Sequence, residues 1–316
     1  VGVEACGICN STDWKIIKAE FVSGTFPILL GHESVGRVVR VGEQVRSFQE
    51  GDRVLRSTLR DEHVSFPGGR SCWGGFVEQA IVTDVWAERG VAYDAFAHPQ
   101  QIVPPDISAT DAVAMITLKE ALSCLENTDV PPGGSLTIIG TGPVGQALAY
   151  LAKLMGIAPV VVFGRRPHWA EVFSRLGADA YVFGDNYGPA VREILNKGGF
   201  DRVIEAVGTR AALSRCLEIV KADGRVNLYG IAAESKPYLP EQASDARVFR
   251  SKVTEAETHD RLLDWVKQGK LDLSDWTSHD LPWTDYVRGF EMVASKEANK
   301  VVLTMYAPGR DAAFVG

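Results

Sequence analysis

The sequence predicts an α/β fold in two parts: a β-rich domain drawn from both ends of the chain and, between them, a doubly wound parallel sheet. Three observations carry this expectation. Residues 1–102 break into short apolar runs separated by Gly, Pro and polar turns, the pattern of short strands. From about Asp111, short apolar strands alternate with amphipathic helices, as parallel β-α-β winding requires. After about Lys252 two helical stretches lead to one closing strand. The boundaries are drawn at 1–110 with 254–316 for the β-rich domain and at 111–253 for the parallel sheet.

The elements follow in order. VGRVVRVG at 35–42 and GDRVL at 51–55 read as strands of the first domain. LTIIG at 136–140 is a strand that enters a helix over PVGQALAYLAKLMG, whose Val144, Leu148, Leu151 and Met155 share one face. PVVVFG at 159–164 is the next strand, and a helix then runs to Gly177. RVIEAV at 202–207 and RVNLYG at 225–230 are further strands, each preceded by a helix and a Gly turn. The chain closes with helices over 258–268 and 285–294 and the strand VVLTM at 301–305. Val1 and Val3 open the chain inside an apparent strand without an initiator Met, so an upstream segment is expected.

Composition bounds the function. There are 33 Lys+Arg against 40 Asp+Glu, a formal charge of −7, with no basic block to release counterions from phosphates, which argues against nucleic acid as a partner. The 46% hydrophobic and 23% charged fractions are those of a globular protein. No apolar stretch approaches the roughly 18 residues of a membrane span, and no basic-then-apolar signal opens the chain, so a cytoplasmic protein is expected. Five scattered cysteines (Cys6, Cys9, Cys72, Cys124 and Cys216) fit reduced thiols better than a disulfide framework.

Gly140, Gly142 and Gly145 form GTGPVG directly after a strand and at a helix start. Alone, a GxGxxG is a weak signal and a plain Gly-rich turn an adequate reading. In this context the first glycine makes the turn, the second admits a pyrophosphate, the third lets helix and strand pack closely, and the helix N-terminus faces the negative charge. Gly140, Gly142, Pro143, Val144 and Gly145 are therefore the expected dinucleotide contacts. The second strand ends at Gly164, where an NAD-preferring protein usually carries an acid for the ribose hydroxyls. Arg165 and Arg166 follow instead, and two guanidiniums there suit a 2′-phosphate, so NADP(H) is expected over NAD(H). His168 lies two residues further and is a candidate for the same phosphate; the remaining histidines (His63, His98, His259 and His279) read as surface or loop residues.

Cys9, and the pair His32 and Glu33, are the remaining unusual chemistry. A thiolate and an imidazole converging on one point bind Zn²⁺, and a catalytic zinc takes three protein ligands and one open position. Taken singly, a buried Cys and a hydrogen-bonded core His are the commoner case.

The segments GICNSTD, GHESVGRVVRVG, GDRV, GGFVEQ, PPGGSLTIIGTGPVG and FEMVASKEANKVVL occur in the order and rough spacing of the medium-chain dehydrogenase/reductase superfamily. The chain resembles its zinc-type alcohol dehydrogenase branch over nearly its whole length. The resemblance implies a GroES-like β-rich catalytic domain with a Rossmann cofactor domain, and a cofactor lying in the cleft between them. It implies Cys9 and His32 as ligands of one catalytic zinc, Glu33 as a direct or exchanging ligand, and a hydroxyl at Ser11 or Thr12 that relays the alcohol proton. It also implies a small alcohol or carbonyl substrate and a homodimer or homotetramer. Three departures follow. Residues 55–73 carry only Cys72 where the family's structural zinc has four cysteines, so no structural zinc is expected. The third catalytic ligand aligns with Met115 or Ile116, neither of which binds zinc, leaving Glu120 one helical turn on, or Glu33, to complete the set. Lys15 stands at the spacing of the usual relay histidine.

The expectation is thus an NADP(H)-dependent alcohol dehydrogenase or carbonyl reductase, zinc-assisted. One alternative is a zinc-independent NADPH-dependent enone or quinone reductase, with Lys119 and Glu120 as candidate proton donors. A second is a non-catalytic NADPH-binding protein. Trp14 and Trp73 are candidates to line a substrate cleft, the other tryptophans and phenylalanines being read as core.

Overall fold

The computed structural model describes residues 1–21, 26–87, 91–252 and 254–305. The chain begins with β1 (Gly2–Ile8), α1 (Thr12–Ile17), β2 (Ile28–Leu29), β3 (Glu33–Arg37), β4 (Arg53–Leu55), β5 (Arg70–Ser71) and β6 (Ile102–Val103). The helix α2 (Ala109–Thr128) leads to β7 (Leu136–Ile139), α3 (Pro143–Leu154), β8 (Val160–Gly164), α4 (Trp169–Arg175), β9 (Ala180–Phe183), α5 (Pro189–Asn196), β10 (Phe200–Glu205), α6 (Arg210–Ile219), β11 (Val220–Leu228), α7 (Pro240–Ala243) and β12 (Val248–Phe249). It ends with α8 (His259–Lys267), β13 (His279–Pro282), α9 (Tyr286–Ser295) and β14 (Val301–Thr304).

Two compact units divide the chain, Val1–Ile116 with the segment from His259 onward, and Thr117–Thr258. The division falls inside α2 rather than before it. The change of periodicity at Asp111 marks where the helix begins, but one continuous helix serves both units, and its first two turns belong to the first.

In the first unit the sheet order is β13-β14-β1-β3-β4-β6. β1 is central, antiparallel to both β14 and β3, so the two ends of the chain are neighbours in one sheet. Ile8, Val301 and Leu303 from these strands pack with Met292 and Val293 of α9 in one apolar cluster, against which Trp14, Phe76 and Phe290 lie. The strand expected over 35–42 ends at Arg37; just past it Val38 donates to the Asp52 carbonyl and accepts from the Gly51 amide.

In the second unit six strands run parallel in the order β12-β11-β10-β7-β8-β9. Strand order reverses between β7 and β10, which makes the carboxyl ends of those two strands the switch point where open α/β sheets bind ligands. Strands buried on both faces need continuous apolar runs, and Val160, Val161, Val162 and Phe163 of β8 are all buried. The buried side of α3 is wider than the predicted stripe: Gly145 to Ala149, Leu151 and Ala152 are buried, whereas Met155 is its C-cap.

Candidate active site

Sheet register assembles the first-unit site. Gly7 stands opposite Glu33 on one side and Val302 on the other, and Ile8 stands opposite Val301. Cys9 just past β1, Glu33 at the start of β3 and Lys300 just before β14 are therefore brought to one end of the sheet. Gly7 permits this: a Cβ there would overlap the Glu33 carboxylate and lie 2.7 Å from a methyl of Val113.

Cys9, His32 and Glu33 each offer one ligand atom, and those atoms lie within 4.8 Å of one another. Glu33 Oε1 is 3.9 Å from His32 Nε2, while tetrahedral bonds of about 2.0–2.3 Å set ligand atoms about 3.3–3.8 Å apart. The other edge of the imidazole faces Asp13: His32 Nδ1 is 3.5 Å from Asp13 Oδ1, and neither atom has a hydrogen bond among the described residues. Asp13 is itself fixed, its Oδ2 accepting from the Cys9 amide at 2.8 Å. The Thr12 amide donates to Cys9 Sγ at 3.4 Å. Lys300 Nζ donates to Glu33 Oε2 at 2.5 Å, and both side chains are about 95% buried (6% and 4% exposed). Arg56, also buried, donates to the His32 carbonyl at 2.7 Å, and the Trp73 ring lies 5.3 Å from the imidazole.

The electrostatics follow from this packing. Burial works against a charge on His32, but the Cys9 sulfur and the Asp13 carboxylate outweigh it and hold the imidazole well above its ordinary pKa. Burial likewise opposes ionisation of Glu33, yet Lys300 and then His32 prevail and lower it. Lys300 is raised by the same attraction to Glu33, and by Cys9, against its burial. The thiol, imidazole and carboxylate of Cys9, His32 and Glu33 are the sulfur, nitrogen and oxygen donors that zinc takes, and in this respect the donor set fits that metal.

In the second unit Gly140 takes φ +139°, and a Cβ there would lie 3.0 Å from the Ala206 carbonyl, so the ends of β7 and β10 touch at the switch point. Gly142, the N-cap of α3, is extended and has open space where a Cβ would stand. A Cβ on Gly145 would overlap the Gly140 carbonyl. These clearances are those of a turn that a pyrophosphate approaches over Gly142 while helix and strand close behind it. Arg165, Arg166 and His168 are exposed beyond β8.

Residues 1–89 match the family described as alcohol dehydrogenase GroES-like domain, and residues 143–268 match zinc-binding dehydrogenase. The chain is 28% identical to D-arabinitol dehydrogenase 1 of Uromyces fabae over 95% of its length and 88% of that protein. Among solved structures it is similar to alcohol dehydrogenase TADH from Thermus sp. ATN1, at 27% identity and TM-score 0.77, covering 97% of this chain and 92% of that one. It is also similar to zinc dependent alcohol dehydrogenase 2 from Streptococcus pneumonia, at 26% identity and TM-score 0.76, covering 98% and 92%. The chain belongs to the zinc-type alcohol dehydrogenases of the medium-chain superfamily. Its fold is the GroES-like domain plus the Rossmann-type sheet.

Several site expectations now have places. Ser11 is exposed at the start of α1, its hydroxyl making no cap, whereas Thr12 is half-buried next to Cys9. Met115 and Ile116 are buried apolar residues of α2. Glu120 accepts from the Tyr229 hydroxyl at 3.2 Å within the second unit. Lys119 is buried rather than displayed on the helix. His259 is not a surface residue; it is 6% exposed and its Nε2 lies 3.0 Å from the Ile102 carbonyl, because α8 packs that face inward. Trp86 and Trp283 are exposed rather than core. No helix among the described residues is long and apolar enough to cross a membrane. Asp13 and Lys300 went unread as site members. For Asp13 the signal was its place four residues after Cys9; for Lys300, 267 residues from Glu33, there was none but the closing motif.

Proposed function

We propose that the chain is an NADP(H)-dependent alcohol dehydrogenase or carbonyl reductase, assisted by one zinc ion held by Cys9, His32 and Glu33. The observation that carries this reading is the meeting of those three ligand atoms within 4.8 Å, with Asp13 behind one ligand and Lys300 behind another. When bound, zinc polarises the substrate oxygen and NADP(H) exchanges the hydride. The chain's own residues do the rest. Asp13 faces Nδ1 of His32, which favours the tautomer with Nε2 free to ligate. Lys300 holds one oxygen of Glu33 and leaves the other toward His32. The Thr12 hydroxyl, or that of Ser11, passes the alcohol proton toward solvent; the half-buried position beside Cys9 favours Thr12. Gly140, Gly142, Pro143, Val144 and Gly145 receive the pyrophosphate, and Arg165 and Arg166 beyond Gly164 grip the 2′-phosphate, with no structural zinc elsewhere.

A second reading, a zinc-independent enone or quinone reductase, is favoured by one observation: Lys300 already neutralises Glu33, the ligand that must replace the residue at Met115 or Ile116. Metal quantification on the purified protein, together with NADPH and NADH titrations against alcohols, polyols, ketones and enones, separates the two. The zinc reading expects about one equivalent of zinc and activity lost to a chelator. Full activity on enones after chelation, with no metal found, sinks it.

A further inference from the structure

The end of β8 shows why no acidic side chain stands there. Gly164 does not occupy a left-handed conformation, so its backbone tolerates any residue. Space is what forbids one. A Cβ on Gly164 would overlap the Tyr181 hydroxyl, would lie 2.8 Å from Tyr181 Cζ, and would lie 2.6 Å from the Thr141 methyl of the glycine-rich turn. The Thr141 methyl is a terminal group that a χ1 rotation removes. Tyr181 cannot yield in that way. Its ring is stacked on the fully buried Phe173, with centroids 5.7 Å apart and planes 11° from parallel, and its hydroxyl donates to the Arg166 carbonyl at 2.6 Å. Tyr181 is the second residue of β9, whose register with β8 sets Val162 against it and Gly164 against Phe183. The phenol therefore reaches forward along the sheet to the end of β8.

We propose that Tyr181 sets the coenzyme preference of this chain: its phenol fills the volume that a ribose-binding carboxylate at position 164 needs, and its hydrogen bond to the Arg166 carbonyl fixes the turn that presents Arg165 and Arg166 to a 2′-phosphate. It is a positioning residue, acting through the backbone of Arg166 and the emptiness of Gly164. The chemistry recognised is a phosphomonoester on an adenosine ribose. The proposal rests on the NADP(H) reading above.

The test is calorimetric titration of the full chain with NADPH, NADH, 2′,5′-ADP and 5′-AMP, which reads binding without turnover. Tyr181→Phe keeps the ring and loses the bond to Arg166, so affinity for NADPH and 2′,5′-ADP falls about 3–10-fold, as for one lost hydrogen bond, while NADH and 5′-AMP hold. Gly164→Asp alone loses all four ligands. Gly164→Asp with Tyr181→Ala recovers NADH and prefers it, a gain that a merely structural tyrosine does not produce. If the wild type binds 2′,5′-ADP no tighter than 5′-AMP, the NADP(H) reading itself has failed. If the wild type prefers the 2′-phosphate but Tyr181→Phe keeps the whole preference, or Gly164→Asp binds NADH without the second change, only the role of Tyr181 is overturned.

Discussion

Replacing Lys300 by Met removes the cation that faces Glu33 inside the first unit while keeping a chain of similar length. The pair is 2.5 Å apart with both side chains about 95% buried, so solvent does not take the lysine's place at the carboxylate. Breaking a buried pair from one side costs about 3–5 kcal/mol, because a charge is left without compensation. His32 and Arg56 also lower the Glu33 pKa and remain after the change, which places Lys300→Met near the low end, about 3 kcal/mol. At about 2–4 °C per kcal/mol for a unit of this size, melting in chelator falls by roughly 6–12 °C. Glu33→Gln strands the lysine and costs a similar amount. The double variant removes both charges and loses much less than the sum of the two, a coupling of about 2 kcal/mol or more. Urea and thermal unfolding in chelator at pH 7 measure all four proteins. A loss under about 1 kcal/mol for Lys300→Met, or strictly additive single losses, would refute the claim that the two are a buried pair whose charges compensate each other.

Three further outcomes are expected. Asp201 accepts from Lys221 Nζ at 2.6 Å and from the Ser135 amide and hydroxyl at 2.8 Å; burial opposes, but these partners hold its pKa at about 2. Because the folded pKa lies below the unfolded one, the stabilisation is complete above about pH 4 and is lost as pH falls through 2. Asp201→Asn should therefore lower urea stability by about 1–2 kcal/mol at pH 7, after discounting for partial exposure, and the gap should close by about pH 2. Gly142→Ala, whose new methyl meets nothing, should melt like the wild type while coenzyme affinity drops about tenfold or more, whereas Gly145→Ala, which drives a methyl into the Gly140 carbonyl, should lose stability by about 1–3 kcal/mol; equal melting points for the two would contradict the clearances. Glu205 is fully buried and accepts from the Gly208 amide at 2.8 Å, the Val207 amide at 3.0 Å and the Tyr238 hydroxyl at 2.6 Å. Glu205→Gln turns one of its two acceptor oxygens into a donor facing these donors, and should cost about 2–3 kcal/mol by denaturant titration.

The glycine-rich turn was legible because its physics is local: Gly140 needs a positive φ, Gly145 needs to be bare, and both needs lie within six residues of one strand and one helix. The same holds for the β/α alternation and for the His32–Glu33 pair at the head of a strand. Where the sequence reading fell short, the cause lay at longer range. Periodicity reports where α2 begins, not which unit each of its turns packs on, and the two compact units divide within it. His259 turns inward at the start of α8, and one histidine in a polar stretch carries no signal of the face it presents.

Sequence alone therefore determined the two kinds of architecture, the glycine-rich turn between β7 and α3 and the identity of the candidate metal donors, since each depends on backbone conformations or residue chemistries that neighbours along the chain impose. Only the tertiary structure decided that Lys300 is the counterion of Glu33, that Asp13 backs His32, and that Tyr181 stands where an acid at Gly164 would go. Those pairings are fixed by sheet register, β14 and β3 flanking β1 and β9 flanking β8, and register is settled by burial of whole faces rather than by any short stretch of residues.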